Sequence, residues 1–243
     1  MKLENTKANF LKKTLILTLL VSGAAFAQTY PDRNIKILQG FAPGGNADAI
    51  ARAVGSEISK SVGQSVVVEA QAGAGGTIAA TTVAKAKPDG YTLLLATGGH
   101  AVAGAIYNNL NYKTVQDFEM VSTITYFPFL IVINAENKIV NFPALLTQAK
   151  ANPGKIAYGT AGIGSTHHLA GELVKNATGI KAVHVPYKGS AGALTDLMSG
   201  RIEMMFDSLA TSLPLIKGGK IRPLAVTSRG RSSLLPDVPT MLE

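Results

Sequence analysis

The sequence has 243 residues, a formal charge of +8 at pH 7 and no cysteine. Without cysteine the chain forms no disulfide, thiolate metal site or cysteine nucleophile. Its basic residues are scattered and are not interleaved with aromatic residues, so the pattern argues against nucleic-acid binding.

The start of the chain has the pattern of a secretory signal peptide. Lysines precede an apolar run at residues 14–21, and Ala25-Phe26-Ala27 supplies a small-x-small cleavage motif. The run is shorter than the about 20 residues that cross a bilayer. We expect cleavage after Ala27, localisation to the periplasm and no stable membrane insertion.

The next elements predict a strand, a tight glycine loop and a helix. Residues 35–38 form the apolar strand, Pro43-Gly44-Gly45 form the turn, and Asp48 lies near the start of a helix that runs to about Gly63. Glycine lets the backbone approach a ligand, and the first helical turn presents N–H groups without intrahelical partners. The loop therefore suits a carboxylate or a phosphate, although an ordinary strand-to-helix turn has the same composition.

Common phosphate motifs are missing from this loop. A P-loop needs Lys-Ser or Lys-Thr after its last glycine, whereas Asn46-Ala47-Asp48 follows here. The dinucleotide fingerprint also lacks its third glycine. The local pattern thus favours a backbone-lined site for a small anion.

Two further strands, at residues 66–69 and 91–96, also end in glycine loops. The first of these loops, residues 73–77, opens a helix at residues 78–85, and Gly98-Gly99-His100 follows the second strand. Strands that alternate with helices predict parallel pairing, which brings the loops to one edge of the sheet. Gly98 and His100 are therefore candidates for ligand contact, and a solvated loop histidine is an equal alternative.

The second half of the chain repeats the same order of strand, small-residue loop and helix. Strands are predicted at residues 127–134, 156–160, 183–186, 204–208 and 222–227, and helices at residues 144–151, 167–177 and 191–199. The Gly/Ser/Thr loop at residues 161–166 opens the second of these helices, where Ser165 and Thr166 fit helix capping as well as ligand contact. The repeat predicts two α/β lobes with a binding cleft between them.

The histidines and Asp207 allow catalytic or metal-binding interpretations, which the spacing disfavours. His167 and His168 project about 100° apart on a helix, unlike an i, i+4 metal pair. His184 fits a hydrogen-bonded strand residue. A hydrolase site at Ser165, His168 and Asp207 would lack the Gly-x-Ser-x-Gly elbow. Asp207 ends an apolar strand and needs either a structural partner or a ligand.

A set of motifs, in this order and spacing from Tyr30 to the last residue, resembles the Bug (Bordetella uptake gene, TctC-like) family of periplasmic receptors for tripartite tricarboxylate transporters. The motifs are Tyr30-Pro31-Asp32-Arg33, Phe41-Ala42-Pro43-Gly44-Gly45 with Asp48, Gly73-Ala74-Gly75-Gly76, Pro88-Asp89-Gly90-Tyr91-Thr92-Leu93-Leu94, Ala149-Lys150-Ala151-Asn152-Pro153-Gly154-Lys155, Gly162-Ile163-Gly164-Ser165-Thr166, His168-Leu169-Ala170-Gly171-Glu172, His184-Val185-Pro186-Tyr187-Lys188-Gly189, Met205-Phe206-Asp207 and Leu235-Pro236-Asp237-Val238-Pro239-Thr240.

The resemblance implies an α/β periplasmic-binding-protein (Venus-flytrap, type II-like) fold of two lobes joined by two crossover strands. It implies that the lobes close on a small organic carboxylate, held largely by backbone N–H groups and ordered water. The loops that it assigns to the carboxylate are Phe41, Ala42, Pro43, Gly44, Gly45, Asn46 and Asp48 in the first lobe and Ala161, Gly162, Gly164, Ser165, Thr166 and His168 in the second. Asp207 corresponds to the family's aspartate near the hinge and faces the distal end of the ligand.

The chain departs from the family pattern at two places. Where the family commonly has Gly-Gly-Gly-Thr-Asp, this chain has Gly44-Gly45-Asn46-Ala47-Asp48, which replaces a loop hydroxyl by an amide and affects ligand preference. Family members also continue well past Pro239-Thr240, so we expect the first lobe to be incomplete at its C-terminus. The expected organisation is a signal peptide at 1–27, lobe 1 at 28–124, lobe 2 at 125–227 and a truncated return to lobe 1 at 228–243.

The function expected from these features is capture of a small carboxylic acid and its delivery to membrane transporter subunits. We expect a monomer with no cofactor, no metal and no catalysis. Two alternatives stay open, namely a ligand-binding sensor for a membrane kinase and a secreted α/β hydrolase.

Overall fold

The computed structural model describes residues 30–243, and the predicted signal peptide lies outside the described residues. In the described part, the strands are β1 (Ile35–Gln39), β2 (Val66–Ala70), β3 (Thr92–Leu95), β4 (Phe129–Asn134), β5 (Ile156–Thr160), β6 (Ala182–Pro186), β7 (Met204–Ser208) and β8 (Ile221–Val226). The helices are α1 (Asn46–Val62), α2 (Thr77–Ala84), α3 (Gly98–Ile106), α4 (Phe142–Ala151), α5 (Thr166–Thr178), α6 (Ser190–Met198) and α7 (Leu209–Lys217), with a 3-10 turn at Ala74–Gly76.

The first sheet has the order β2-β1-β3, and all its strands are parallel. Ile35 and Ile37 are buried in β1, whereas Lys36 between them is exposed and its Nζ lies 2.8 Å from a carboxylate oxygen of Glu69. This alternation follows from the two-residue repeat of a strand. The predicted parallel pairing is confirmed here, and it brings the carboxyl ends of the three strands to one edge.

The second sheet has the order β6-β5-β7-β4-β8. β5 pairs in parallel with β6 and β7, but β4 is antiparallel to both of its neighbours, β7 and β8. Leu130 and Val132 of β4 face one apolar cluster while Ile131 and Ile133 face another, and all four are at most 1% exposed. A strand buried on both faces has the same apolar pattern in either direction, so β4 is the exception to the parallel pairing that the alternation of strands and helices predicts.

Two helices form where the sequence pattern does not predict them. α3 begins with Gly98-Gly99, and α7 contains Pro214. Glycine and proline are the weakest helix formers, so local propensity conceals both helices. As a consequence, Gly98 and His100 lie in the first turn of a helix and not in the expected loop.

The segment 107–128 connects the two sheets and contains no helix or strand. After β8, the Val226 N–H donates to Pro239 O (2.9 Å), the Met241 N–H donates to Val226 O (3.0 Å), and the Met241 side chain packs against the second sheet. The segment 228–243 therefore contacts β8. The proposed division into lobes stays a prediction.

No helix between residues 30 and 243 combines the length and the apolar character that a membrane crossing requires.

Candidate functional site

Glycine loops from both sheets meet at the carboxyl ends of their strands, where open α/β sheets bind ligands. We call residues 40–45, between β1 and α1, the β1 loop, and residues 161–165, between β5 and α5, the β5 loop. Phe41 of the β1 loop and Ala161 of the β5 loop belong to one buried apolar cluster. The two loops therefore border the same region between the sheets.

The β1 loop is fixed by hydrogen bonds from its own backbone. Asp48 Oδ2 accepts from the Gly44 N–H (3.1 Å) and from Arg52 Nε (3.0 Å), and Arg52 lowers the pKa of the Asp48 carboxyl. Gly44 has φ of 81°, in the left-handed region that glycine adopts without strain. Asp48 is buried and braces the loop, while Pro43 and Gly44 lie nearer to solvent at its tip.

The β5 loop is fixed in a similar way. The Gly162 N–H donates to Thr160 Oγ1 (3.2 Å), and the Gly164 N–H donates to His168 Nδ1 (3.3 Å). Ser165 is the N-cap of α5: its hydroxyl donates to Gly162 O (2.7 Å) and accepts from the His168 N–H (3.3 Å). The predicted capping role of Ser165 is confirmed.

Both loops lead into helix starts whose N–H groups are available for an anion. The N–H groups of Asn46, Ala47 and Asp48 in α1 find no hydrogen-bond acceptor among the described residues. The same holds in that part of the chain for the N–H groups of Thr166 and His167 in α5. Such groups, at the positive end of the helix dipole, favour a carboxylate or a phosphate.

The loops of the two sheets are in direct contact. The Ala42 N–H donates to Lys188 O (2.8 Å), and a methyl group on Gly189 would lie 2.9 Å from Ala42 N. A methyl group on Gly75 would lie 2.5 Å from Ile163 O. Glycine is therefore required at these positions, because any side chain would push the two sets of loops apart.

Tyr107, on the segment between the sheets, adds a polar contact of the same kind. Its hydroxyl donates to Ile163 O in the β5 loop (3.1 Å). The ring also lies against Gly164, since a methyl group there would be 3.1 Å from Tyr107 Cε2. These contacts hold the loops of the two sheets together.

Asp207 lies at the end of β7 in a buried polar cluster with His167. Its Oδ2 accepts from the hydroxyls of Thr211 and Ser212, both at 2.6 Å, while Oδ1 lies 3.9 Å from His167 Nε2. Burial raises the pKa of Asp207 to about 6, although the hydroxyls oppose this shift, and burial lowers the pKa of His167 to about 4. At pH 7 the cluster thus holds a carboxylate beside a neutral imidazole, and Asp207 Oδ1 and both ring nitrogens of His167 lack a hydrogen-bond partner among the described residues.

His100 belongs to a different environment. Its Nε2 lies 2.8 Å from Thr114 O, and its ring packs against Tyr112 and Phe118. Together with Phe41 it lines a cavity of about 10 Å³, enough for roughly one water molecule. The side chain is therefore held against the segment 107–128, beside Phe41 of the β1 loop.

The structure adds residues that sequence reasoning does not single out for this site. Gly75 and Gly189 set the close approach of the loops, and His167 places a ring beside Asp207. The sequence pattern indicates that the glycine loops converge, but which residues of the two sets of loops touch depends on tertiary structure. Within residues 30–243, no three His, Cys, Asp or Glu side chains are grouped so as to hold a metal ion.

The chain is similar to a family of transport receptors. A family model described as tripartite tricarboxylate transporter family receptor (TctC) matches residues 50–243. A UPF0065 protein of Agrobacterium vitis is 40% identical over 242 residues, covering 100% of this chain and 70% of the relative. Protein BugT of Bordetella pertussis is 38% identical over 230 residues, covering 94% of this chain and 71% of BugT.

Solved structures give the same result. The periplasmic binding protein BugD superposes with a TM-score of 0.84 at 37% identity, over 87% of this chain and 71% of BugD. Rpa4515 of R. palustris with adipate has a TM-score of 0.84 at 38% identity, over 87% of this chain and 71% of that chain. MatC of Rhodopseudomonas palustris with bound malate has a TM-score of 0.83 at 31% identity, over 87% and 72% of the two chains.

Proposed function

Because the chain belongs to the TctC family of tripartite tricarboxylate transporter receptors, with the fold of periplasmic binding proteins, we propose that it captures a small organic carboxylate between the β1 and β5 loops. The observation that carries this proposal is that backbone N–H groups at the starts of α1 and α5, next to loops from different sheets, have no acceptor within residues 30–243. Adipate and malate, which relatives hold in their structures, define the ligand class.

The binding energy would come mainly from the backbone. A hydrogen bond to a charged acceptor contributes about 1.5 to 3 kcal/mol. Three or four such bonds, less the cost of ordering the loops and the ligand, leave an affinity on the order of micromolar, about −8 kcal/mol. Because donors from both sheets contact the ligand together only when the loops meet, binding favours the closed arrangement.

Within this proposal the predicted residues have different roles. The loop residues Phe41 to Asn46 and Ala161 to Thr166, with Gly98, shape the anion site, while Asp48 and His168 hold the loops in position. Asp207 contacts the distal end of the ligand directly or through water.

We also propose that the chain performs no chemistry on its ligand. The family consists of substrate-binding receptors. The Ser165 hydroxyl donates to Gly162 O, and His168 Nδ1 accepts from the Gly164 N–H, so these two side chains are not paired as nucleophile and base. We propose that the receptor acts in the periplasm as a monomer and delivers its ligand to the membrane subunits of the transporter.

Titration calorimetry of the chain from Gln28 onward, with malate and adipate as probes, tests the proposal. We expect binding of at least one acid, and Gly189→Ala should weaken it by about tenfold or more, since its methyl group would meet Ala42 N at 2.9 Å. The matched control is Gly230→Ala, because a methyl group there meets no atom within 4 Å. Equal affinities for the two variants would contradict the assignment of the cleft.

A further inference from the structure

A third helix begins beside the β1 loop, and the binding proposal does not use it. This helix, α6, starts at Ser190, shortly after β6. Within residues 30–243, the N–H groups of Ser190, Ala191 and Gly192 find no hydrogen-bond acceptor, and no side chain caps the helix. A role for this helix start in holding the ligand rests on the proposed function, because that proposal places the ligand between the β1 and β5 loops.

The helices α5 and α6 cover opposite faces of the second sheet. Val174 of α5 belongs to one buried apolar cluster, whereas Ala193 and Leu197 of α6 belong to another. Alternate residues of β4 divide between the same two clusters, and alternate residues of a strand face opposite sides of a sheet. The edge of the second sheet that faces the β1 loop is therefore flanked by two helix starts, one on each face.

The start of α6 meets the tip of the β1 loop. A methyl group on Gly45 would lie 2.8 Å from Ser190 Oγ and 3.6 Å from Ser190 N. A methyl group on Gly44 would lie 3.8 Å from the side chain of Ala191. Because Gly45 is the N-cap of α1, the starts of α1 and α6 adjoin across the two sheets, with the Ser190 hydroxyl facing Gly45.

The Ser190 hydroxyl is buried without a partner. The residue is 3% exposed, and in the part of the chain that the structure describes its Oγ forms no hydrogen bond. Asn46, directly after Gly45, is 9% exposed, and its side chain also forms no hydrogen bond in that part. A buried polar group that has given up its hydrogen bonds to water costs free energy until another partner replaces them. A ligand that supplies the partner removes this cost.

We propose that Ser190 selects ligands that carry a hydroxyl group on the carbon next to the bound carboxylate, which are 2-hydroxy acids such as malate. A carboxylate held at the start of α1 lies beside Gly45, so a substituent on the adjacent carbon of the ligand reaches the Ser190 hydroxyl. Each of the two hydroxyl groups is both a donor and an acceptor, so they pair without a change of charge.

The charges around this point favour a hydroxyl over an ammonium group. The adjoining starts of α1 and α6 are the positive ends of two helix dipoles. The carboxylate of Asp48, in the first turn of α1, is already paired with Arg52 Nε at 3.0 Å. Malate should therefore bind more tightly than aspartate, which has an ammonium group in place of the hydroxyl.

Two other roles for Ser190 would give different results. A hydroxyl that holds the carboxylate itself would serve every acid alike, so its removal would weaken malate and succinate by the same factor. A hydroxyl that holds the fold would have a partner inside the protein, so its removal would lower the free energy of unfolding. Removal of an unpartnered hydroxyl in Ser190→Ala should not lower it.

Titration calorimetry at pH 8 compares both enantiomers of malate with aspartate and with succinate, which lacks only the hydroxyl. We expect the wild type to bind one malate enantiomer about fivefold more tightly than succinate, the effect of one net hydrogen bond. Ser190→Ala should remove this preference. The matched control is Ser199→Ala at the C-cap of the same helix, where the hydroxyl donates to Asp196 O (3.1 Å), and it should keep the preference of the wild type.

Four results would overturn the inference: no preference for malate over succinate in the wild type, the wild-type preference in Ser190→Ala, tighter binding of aspartate than of malate, or a Ser190→Ala variant that unfolds in less urea than the wild type without ligand. Each of them leaves carboxylate capture intact. The proposed function fails separately, if the wild type binds none of malate, succinate and adipate, and the inference then falls with it.

Discussion

Asp207 and His167 make the stability of the protein depend on pH with opposite signs. Burial raises the pKa of Asp207 from 3.8 to about 6. Between these two values the carboxyl ionises in the unfolded chain but stays largely protonated in the folded protein, so the free energy of unfolding falls as the pH rises through this interval. Burial lowers the pKa of His167 from 6.5 to about 4, so stability is lost as the pH falls through that interval, where only the unfolded chain takes up the proton.

Urea unfolding between pH 4 and pH 7 separates these two contributions. Relative to wild type, Asp207→Asn should gain stability as the pH rises from 4 to 6, by on the order of 3 kcal/mol at about 1.4 kcal/mol per pKa unit. His167→Gln should instead become more stable relative to the wild type as the pH falls from 6.5 to 4. Curves for Asp207→Asn and wild type that stay parallel over the whole range would show that Asp207 does not titrate there.

Helix capping at α5 links the stability of one element to ligand binding. The Ser165 hydroxyl accepts from the His168 N–H and donates to Gly162 O. The side chain of Asn141 caps α4 in a comparable way, accepting from the Ala144 N–H at 2.8 Å, but α4 lies outside the site. The two caps therefore form a matched pair.

We expect Ser165→Ala and Asn141→Ala each to lower the free energy of unfolding by about 1 kcal/mol. Only Ser165→Ala should also weaken malate binding in calorimetry, because Gly162 O loses its hydroxyl donor, keeps only the backbone N–H of residue 165 (3.1 Å), and the β5 loop relaxes. Weaker binding in both variants would mean that loss of stability, and not loop geometry, is responsible.

The loops are predictable from the sequence because their signals are local. In the β1 loop, an apolar strand, a Pro-Gly-Gly turn and an early helical Asp48 lie within one short stretch, and the parallel first sheet follows from the alternation of elements. The antiparallel direction of β4 is not predictable, since its two buried faces are both apolar. Gly98 and Pro214 conceal two helices, because both residue types disfavour a helix locally.

The contact between His168 and His184, whose ring centroids lie 4.2 Å apart, shows a different limit of sequence reasoning. The sequence predicts a hydrogen-bonded strand residue at His184, and the bond to Thr160 confirms it. Its contact with His168 depends on the register of β5 and β6, in which Tyr158 lies opposite His184. No pattern along the chain encodes that register, so a pair of this kind becomes visible only in three dimensions.

At the scale of the whole molecule, the segment 107–128 presents apolar side chains to solvent. Met120, Val121 and Tyr126 are 63%, 83% and 89% exposed. Contiguous exposed apolar surface promotes association. We expect the wild type, proposed above to act as a monomer, to show concentration-dependent light scattering only at high protein concentration, and the double variant Val121→Lys, Tyr126→Lys to show much less.

A single exposed valine elsewhere provides the control for added charge. Val140 is 67% exposed and lies outside this segment. Val140→Lys should scatter like the wild type. If it suppressed scattering as strongly as the double variant, net charge and not the apolar segment would govern association.

The hydrogen bond from Tyr107 to Ile163 O across the loops has a spectroscopic consequence. The chain contains seven tyrosines and no tryptophan, so its ultraviolet fluorescence comes from phenol rings without an indole to mask them. A phenol that gains or loses a carbonyl acceptor changes its emission. Under the proposed closing of the loops on a ligand, Tyr107 is an optical reporter of that closure, and Tyr107→Phe would remove that one component of the signal.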